Sequence, residues 1–283
     1  MFIKIKMISF KSIKNFVLVN SLMLVTSVFH FAFTAPTGYF TVDLLNQYIM
    51  SLTKNYLFIE FIEYKTKDKT KIMSEKRDIL NNIPKERYYK EFDMFVMTTT
   101  LADSLSQLII KKYFISDFVS MRYYDLIEFV FISFVFEIIF DFFHYWMHYY
   151  LHKTPILYQN FHKIHHKWAY PKPILTFYNH PLDFFITNSI PMFLTFLIFP
   201  FPITYFQYEL LHTYKTLLEI SGHSGKVLNS NSFTQCIWLP RFFNFQLKVE
   251  EHDLHHSLNN CNYGKRFSLW DKVFGTFVER NSF

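Results

Sequence analysis

Histidines are concentrated in two parts of this sequence. Six of the 13 histidines lie in the 23 residues from His144 to His166, and His252, His255 and His256 follow near the end of the chain. Histidine is the commonest metal ligand among protein side chains and binds through a neutral ring nitrogen. Spacings of three and four residues place side chains on one face of a helix, about 5–6 Å apart at Cβ. The pattern therefore predicts a multi-histidine metal centre.

The histidines form four candidate groups of ligands. His148 and His152 make an HxxxH pair, for which His144 offers an alternative register. His180 and His212 stand in reserve. The other three groups are two HxxHH boxes and one single histidine, namely His162, His165 and His166; His252, His255 and His256; and His223.

The number and type of ligands limit the choice of metal. A tetrahedral zinc ion takes about four ligands, so nine histidines indicate two metal ions. No histidine is followed by glutamate, which excludes the HExxH motif of zinc proteases. The two cysteines, Cys236 and Cys261, are too few for a cysteine-rich zinc site. A dinuclear iron site that activates O₂ fits an all-nitrogen ligand set best, and a dizinc site is left open.

The composition predicts a membrane protein. Residues are 51% hydrophobic, 21% aromatic and only 18% charged, whereas soluble domains average about 25% charged residues. The net charge of +6 comes without a recognisable nucleic-acid-binding module, and we interpret it as attraction to a membrane surface.

The N-terminal segment predicts a membrane anchor. Lysines precede the apolar run from Phe16 to Phe33, which is long enough for a spanning helix with a cytosolic N-terminus. The alternative is a secretory signal peptide that is cut near Ala35.

Further apolar segments must position the histidines. Residues 119–150 predict a long helix that ends before Pro155 and carries an ionisable stripe. Residues 182–199 and 203–218 predict a hairpin of helices, broken at Phe-Pro-Phe-Pro. This hairpin would return the last histidines to the side of the first ones. Residues 93–112, which Asp103, Ser104 and Gln107 interrupt, predict an amphipathic helix at the membrane interface.

The spacing of these motifs resembles the fatty acid hydroxylase superfamily, which includes sterol desaturases, C-4 methyl sterol oxidases and lipid hydroxylases. The resemblance covers about residues 120–279 and rests on five motifs: Asp141-x-x-x-Tyr145-x-x-His148-x-x-x-His152; His162-x-x-His165-His166; His180-Pro181-Leu182-Asp183; His223-Ser224-Gly225; and His252-x-x-His255-His256 followed by Asn262-Tyr263-Gly264 and Trp270-Asp271. The chain departs from the family pattern at Tyr149, where the family usually has arginine, and at Lys226-Val227-Leu228.

The resemblance implies an all-α, integral membrane domain of about four spans with a cytosolic, histidine-rich dimetal cap, located in the endoplasmic reticulum. We expect residues 1–118 to form an N-terminal anchor and variable region, and residues 119–279 to form the catalytic domain. The implied metal ligands are His148, His152, His162, His165, His166, His223, His252, His255 and His256.

Four other positions are candidate catalytic residues. Asp141 is expected to orient an imidazole, as carboxylates beside ligating histidines do. His144 is expected beside the metal or as the alternative ligand, and Tyr145 and His180 match family motifs.

The implied activity is oxidation of a lipid, most simply a sterol, with O₂ and with electrons from NAD(P)H through cytochrome b5 and its reductase. A C-4 methyl sterol oxidase and a sterol desaturase both fit. The alternatives are a fatty-acyl or ether-lipid hydroxylase, a metal transporter and a catalytically inactive relative. A transporter would be expected to hold its ligands near the membrane midplane, whereas these boxes flank the predicted spans.

Overall fold

The computed structural model describes residues 10–70, 85–115, 121–168, 172–228 and 233–280, and in these ranges the chain is all-helical, as predicted. No strand forms there, and Gln246 and Phe267 make one isolated antiparallel bridge. The helices of the described residues are α1 (Phe10–Phe33), α2 (Phe40–Thr66), α3 (Lys85–Phe114), α4 (Tyr123–Lys153), α5 (Pro155–Asn160), α6 (Pro181–Phe184), α7 (Ile190–Ile198), α8 (Tyr205–Gly222), α9 (Trp238–Phe242), α10 (Val249–Leu258) and α11 (Leu269–Val273), with 3₁₀ helices at His162–Lys167 and Pro173–Phe177 and a π-helical turn at Phe185–Ser189.

The long helices form an up-and-down bundle. Helices α1 and α8 are antiparallel, because Asn20 contacts Tyr214 while Thr34, after the end of α1, contacts Tyr205 at the start of α8. Helix α4 begins beside the start of α8, where the Gln207 side chain donates to the carbonyl oxygen of Asp125 at 3.2 Å. Helices α4 and α8 therefore finish at the same end of the bundle, which we call the histidine end; the opposite end is the far end.

Local sequence signals set the boundaries of the helices that carry histidines. Helix α4 ends at Lys153, and Pro155 begins α5 at a position where a missing N–H costs nothing. Thr204 and Gln207 form a reciprocal capping box at the start of α8, with bonds of 3.2 and 3.1 Å. The predicted helical hairpin is thus present, with its break between Ile198 and Tyr205.

Two helical segments of the described residues are long and apolar enough to cross a membrane, Ser12–Phe33 and Pro181–Ile198. The expected total of about four spans remains a prediction. The first three helices share one hydrophobic core with the rest of the bundle, in which Met23, Phe58 and Phe92 pack with Phe206.

Helices α2 and α3 bury polar side chains and expose apolar ones. On α2, Gln47 and Lys54 are buried, whereas Leu45 and Ile49 are 57% and 50% exposed. Helix α3 repeats the pattern, with Ser104, Gln107 and Lys111 buried and Met97, Leu101, Leu105 and Ile109 exposed. This is the reverse of a helix on the surface of a water-soluble protein.

The amphipathic helix expected at the membrane interface over residues 93–112 is part of α3. It runs along the bundle and does not lie across one end of it. It packs along α2, and the polar residues that interrupt its apolar pattern face the interior. Gln107 accepts a hydrogen bond from Gln47 at 3.0 Å and donates one to Asp103 at 2.8 Å.

A buried ion pair connects α3 and α8 towards the far end. Lys111 Nζ lies 2.5 Å from Glu209 Oε1, and the same ammonium group also donates to Gln47 and to Thr34. Both charged side chains are almost completely buried. Removal of one charge alone would leave the other buried without a counter-ion, which strongly lowers the stability of the fold.

Replacing Glu209 by alanine is expected to lower the free energy of unfolding by about 3–5 kcal/mol, because Lys111 would be left buried without its counter-ion. Thermal or denaturant unfolding of the full chain in neutral detergent measures this loss. Glu60→Ala is the matched control at an exposed position on α2, with an expected change within about 0.5 kcal/mol. Equal stability of the two variants would show that the pair does not hold the helices together.

Candidate metal centre

The nine predicted metal ligands lie together at the histidine end, although four separate parts of the chain supply them. His148 and His152 occupy the last turns of α4, and the first HxxHH box forms the 3₁₀ helix at residues 162–167. His223 directly follows α8, and the second HxxHH box lies on α10. The side chains form two adjacent groups.

The first group contains five histidines, whose ligand nitrogens all lie within 4.8 Å of one another: His148, His152, His162, His166 and His255. Four of the Nε2 atoms are particularly close. The His148 to His162 distance is 3.1 Å, His148 to His152 is 3.2 Å, His152 to His162 is 2.9 Å and His162 to His166 is 3.0 Å. Nitrogens bound to one ion at about 2.0–2.1 Å would be separated by roughly 3 Å.

The hydrogen bonds made by Nδ1 in two of these rings show why the closely spaced Nε2 atoms need a cation. His148 Nδ1 donates to the carbonyl oxygen of Tyr263 at 2.9 Å, and His162 Nδ1 donates to Asp183 Oδ1 at 2.9 Å. In each neutral ring the remaining nitrogen, Nε2, then carries a lone pair and no proton. Two such lone pairs cannot hydrogen-bond to each other at 3.1 Å. A positive ion between them removes the repulsion.

The second group contains His165, His223 and His256, whose ligand nitrogens also lie within 4.8 Å of one another. His252 Nε2 is 3.3 Å from His223 Nε2, which places it beside this group. His223 Nδ1 donates to the carbonyl oxygen of Glu219 at 2.8 Å, so its Nε2 is also unprotonated in the neutral ring. The groups are neighbours, since the ring centroids of His166 and His256 are 4.7 Å apart.

Burial keeps these rings neutral. It lowers the pKa of His223 to about 4 and that of His255 to about 3. Burial and, secondarily, the neighbouring imidazoles hold the pKa of His165, His166, His252 and His256 well below 6.5. Neutral imidazole is the form that binds metals.

Several ring nitrogens are buried without any hydrogen-bond partner among the described residues. They include Nε2 of His255 and both nitrogens of His256. A buried polar atom without a partner lowers the stability of the fold unless another group binds to it. The orphaned nitrogens, the converging lone pairs and the neutral rings together fit two metal ions, one for each group.

A loop after α10 fixes the orientation of two ligands. Besides Tyr263, which accepts from His148, Cys261 presents its carbonyl oxygen to His255 Nδ1 at 2.7 Å. Gly264 allows the close approach that this loop requires, since a Cβ atom there would lie 2.6 Å from the Phe267 carbonyl oxygen. Asp271 accepts hydrogen bonds from the Tyr263 and Gly264 amides and so holds the loop in place.

Asp141 has a different role from the one predicted. Its carboxylate accepts hydrogen bonds from the backbone amides of Lys265, Arg266 and Phe267 at 2.7–3.1 Å. It therefore anchors the loop that orients His148 and His255, and no imidazole is among its hydrogen-bond partners in the described residues. The sequence pattern placed it on the correct face of α4 but could not show that a loop 124 residues later would occupy its oxygens.

Asp183 is the carboxylate that orients an imidazole, through His162 Nδ1. Sequence reasoning noted it within the His-Pro-Leu-Asp motif but did not assign it to the site. The available signal was its position as the acidic residue of that motif, at the start of an apolar helix. Burial of both side chains makes the pair a strong determinant of the ring orientation.

The other predicted catalytic residues surround the centre or lie away from it. His144 Nδ1 donates to the Thr187 carbonyl oxygen at 2.6 Å, and its ring lies 5.2 Å from that of His148, outside both groups. The Tyr145 hydroxyl contacts Thr276. His180 caps α6 by accepting from the Leu182 amide at 3.1 Å, and the reserve ligand His212 binds Lys54 and Asp103 within the bundle.

A small cavity adjoins both histidine groups. Histidines of each group line it, together with Phe177, Phe184, Asn188 and Lys265. Lys265 Nζ donates to Asn188 Oδ1 at 2.7 Å and pairs with Glu219 at 3.2 Å, so its charge is compensated within the wall. The cavity gives a molecule access to the space beside the two groups.

The fold and the site together define a helical protein with two adjacent histidine groups that could each hold a metal ion, and comparison with known proteins identifies the family. The model of the family described as "Fatty acid hydroxylase" matches residues 133–276, and the chain belongs to this family. No solved structure gives a significant match.

Three relatives show the range of the family. A fatty acid hydroxylase from a Lecanicillium species is 32% identical over 152 residues, which are 52% of this chain and 41% of the relative. The Delta(7)-sterol 5(6)-desaturase of Aspergillus fumigatus is 31% identical over 83% of this chain and 59% of its own length. Human lathosterol oxidase is 35% identical over 56% of this chain and 49% of its own length. The chain thus spans less than two thirds of the length of each.

If the two groups bind one ion each, substitution of one histidine is expected to remove about one of the two ions, because that group loses a ligand from the middle of its set. His162→Ala tests the first group and His256→Ala the second, and elemental analysis of the purified protein counts the ions. Lys163→Ala is the control, since it changes an exposed position of the same 3₁₀ helix that carries His162. Retention of both ions in either test variant would rule out the grouping described here.

Replacing Asp183 by alanine is expected to weaken metal binding about 10–100-fold, because His162 loses the partner that sets its orientation and basicity. Competition with a chromogenic chelator measures the affinity. Glu60→Ala, which removes an exposed carboxylate on α2, should leave it unchanged. An unaltered affinity in the Asp183 variant would mean that the carboxylate does not support the centre.

Proposed function

We propose that the protein is a membrane-bound, non-haem di-iron oxidoreductase that uses O₂ and NAD(P)H-derived electrons to oxidise a lipid, most simply a sterol. The observation that carries this proposal is the convergence of nine imidazoles in two adjacent groups at one end of a helical bundle. Membership of the fatty acid hydroxylase family supports the reaction class.

The ligand set supports iron over zinc. The first group offers five nitrogen donors, which is more than the four of a tetrahedral zinc site. Bound iron would supply the redox chemistry that activates O₂ towards an unactivated C–H bond. By this proposal the first group and the second group, with His252 in the second, hold one ion each.

The protein's own residues prepare this chemistry by fixing proton positions. Carbonyl oxygens of Tyr263, Cys261 and Glu219 accept the Nδ1 protons of His148, His255 and His223, which leaves each Nε2 free to bind. Asp183 does the same for His162 with a charged acceptor. Because these acceptors are buried and rigidly held, the ligands are oriented before any substrate arrives.

The outward apolar faces of α2 and α3 support location in a membrane. Exposed Leu45, Ile49, Leu101 and Leu105 would contact lipid, while the buried polar residues of the same helices satisfy one another inside the bundle. The start of α1 lies at the histidine end, so a cytosolic N-terminus places the metal centre on the cytosolic side. We infer the endoplasmic reticulum membrane from the sterol-modifying relatives.

The desaturation of a sterol has a defined balance. The substrate loses two hydrogen atoms, and O₂ is reduced to two water molecules with two further electrons and two protons. Reduced cytochrome b5, recharged by its reductase, is the proposed electron donor. Two sterol desaturases and a lathosterol oxidase are 31–35% identical to this chain, which supports a sterol as the substrate.

A fatty-acyl or ether-lipid hydroxylase is the second candidate. It is favoured by the similarity to the Lecanicillium fatty acid hydroxylase, which at 32% identity is as close as the sterol enzymes. In that reaction one oxygen atom of O₂ would enter the acyl chain as a hydroxyl group and the other would leave as water, with two electrons and two protons from the same proposed donor.

Expression in a fungal strain that lacks its own Delta(7)-sterol 5(6)-desaturase tests the proposal. The full chain is expected to restore sterols with the additional double bond, detected by mass spectrometry of extracted lipids. His255→Ala should lower the product to about a hundredth or less, because a ligand of the centre is lost.

The Glu60→Ala variant, which is changed at an exposed position, serves as the control and should form as much product as the wild type. Unchanged sterols together with newly hydroxylated acyl chains would favour the second candidate. Neither product, from a chain that carries two irons and receives electrons, would contradict the proposed oxidation of either lipid class.

A further inference from the structure

A second pocket lies at the histidine end, between the start of α1, the end of α2 and the segment that leads into α9. We call it the basic pocket. It is lined by Ser12, Asn15, Phe16, Val19, Asn20, Phe61, Ile62, Lys65, Thr66, Lys69, Leu217, Ser221, Leu228, Thr234, Ile237 and Arg241. None of the nine candidate metal ligands is among these residues, so the pocket is separate from the candidate metal centre.

One part of the basic pocket is apolar. Phe16 and Val19 of α1 and Phe61 and Ile62 of α2 contribute their side chains, and Leu217 of α8 adds to them. These residues come from three packed helices, so the apolar surface lies in the groove between helices. An apolar groove of this kind suits a hydrocarbon chain.

The other part is cationic. Lys65, Lys69 and Arg241 line the pocket, and no carboxylate occurs among the described residues that line it. Lys65 is held near the pocket by a weak contact with Asn15 at 3.4 Å. Their positive charges favour an anion, and guanidinium and ammonium groups are the usual side-chain donors to phosphate oxygens.

Thr234 connects the wall of the pocket to α1. It lines the pocket, and its carbonyl oxygen accepts a hydrogen bond from Asn20 Nδ2 at 3.2 Å.

Exposed aromatic residues place the pocket at the level of a membrane interface. Trp238 and Phe242 of α9 are 46% and 74% exposed, and Trp238 is fixed against Phe16 with ring centroids 5.6 Å apart. Aromatic side chains of this kind concentrate at the boundary between lipid tails and headgroups. Arg241 lies on the same short helix, so the cationic part of the pocket would lie among the headgroups.

We propose that the basic pocket binds one anionic glycerophospholipid, with its phosphate at Lys65, Lys69 and Arg241 and an acyl chain against Phe16, Val19 and Ile62. Basic pockets between membrane helices on the cytoplasmic side recognise such headgroups. The inference rests on the membrane location proposed above and is independent of the metal chemistry. Because the pocket combines a phosphate site with a hydrocarbon groove, the ligand would be a lipid. The proposed orientation of the protein would place this lipid in the cytosolic leaflet.

The test uses the purified full chain in neutral detergent and measures bound lipid by native mass spectrometry during titration with dioleoyl phosphatidylserine. Dioleoyl phosphatidylcholine, with the same chains and no net charge, is expected to bind more weakly. Lys65→Gln/Lys69→Gln should weaken phosphatidylserine binding by about 30-fold, since each basic side chain near an anionic headgroup contributes roughly five-fold.

Lys90→Gln/Lys112→Gln is the matched control, because it removes the same charge from exposed positions outside the pocket. It should leave the phosphatidylserine affinity within about two-fold of the wild type, as surface changes without a specific contact do. Val19→Trp, which fills the apolar groove and keeps all charges, should also reduce binding and covers the case in which the double lysine variant fails to fold.

Equal binding of the two lipids, or an equal loss in both lysine double variants, would overturn the proposal. So would full competition by inorganic phosphate at the lipid's concentration, because the pocket would then be a site for free anions. Repeating the titration on metal-free protein separates this inference from the proposed function, since lipid binding should persist when metal and activity are absent.

Discussion

Nine imidazole rings come together in a small volume at the end of the bundle. Four of them donate an Nδ1 proton to a carbonyl or carboxylate oxygen, namely His148, His162, His223 and His255. Neutral rings whose Nδ1 protons are committed to carbonyl or carboxylate oxygens present only acceptors to one another. Such an arrangement is repulsive unless a cation completes it, so metal binding and the packing of α4, α8 and α10 are expected to be coupled. Buried carbonyl oxygens supply the orientation that solvent cannot.

Buried polar side chains also form hydrogen bonds and ion pairs with one another further along the bundle. Lys111 pairs with Glu209 in the interior and donates to Gln47, which in turn donates to Gln107. Apolar side chains are thus left for the outer surface of α2 and α3. An outer surface of this kind supports the proposed location in a membrane. Because α4 and α8 finish at the same end, the proposed membrane and the proposed metal centre would constrain the same set of helices.

The sequence predicted that these histidines would meet, because metal ligation imposes fixed spacings of residue types and the HxxxH and HxxHH boxes carry that information locally. It did not predict how they divide, since each HxxHH box contributes to both groups. The helical hairpin was also predictable, since prolines mark its break. The role of Asp141 was not, because its partners are backbone amides of a distant loop that carry no residue-type signal. Nor was the inward orientation of the polar face of α3, since an amphipathic pattern does not show which face meets the core.

The two-group arrangement of all-nitrogen ligands is tested most directly by iron K-edge X-ray absorption on the purified, iron-loaded protein. The spectrum should show only nitrogen or oxygen neighbours at about 2.0–2.2 Å, with the multiple scattering of several imidazoles and a second iron as a more distant scatterer. A first shell that contains sulfur, or one with fewer than about two imidazoles per iron, would contradict the ligand assignment on which the proposed oxidation of a lipid depends.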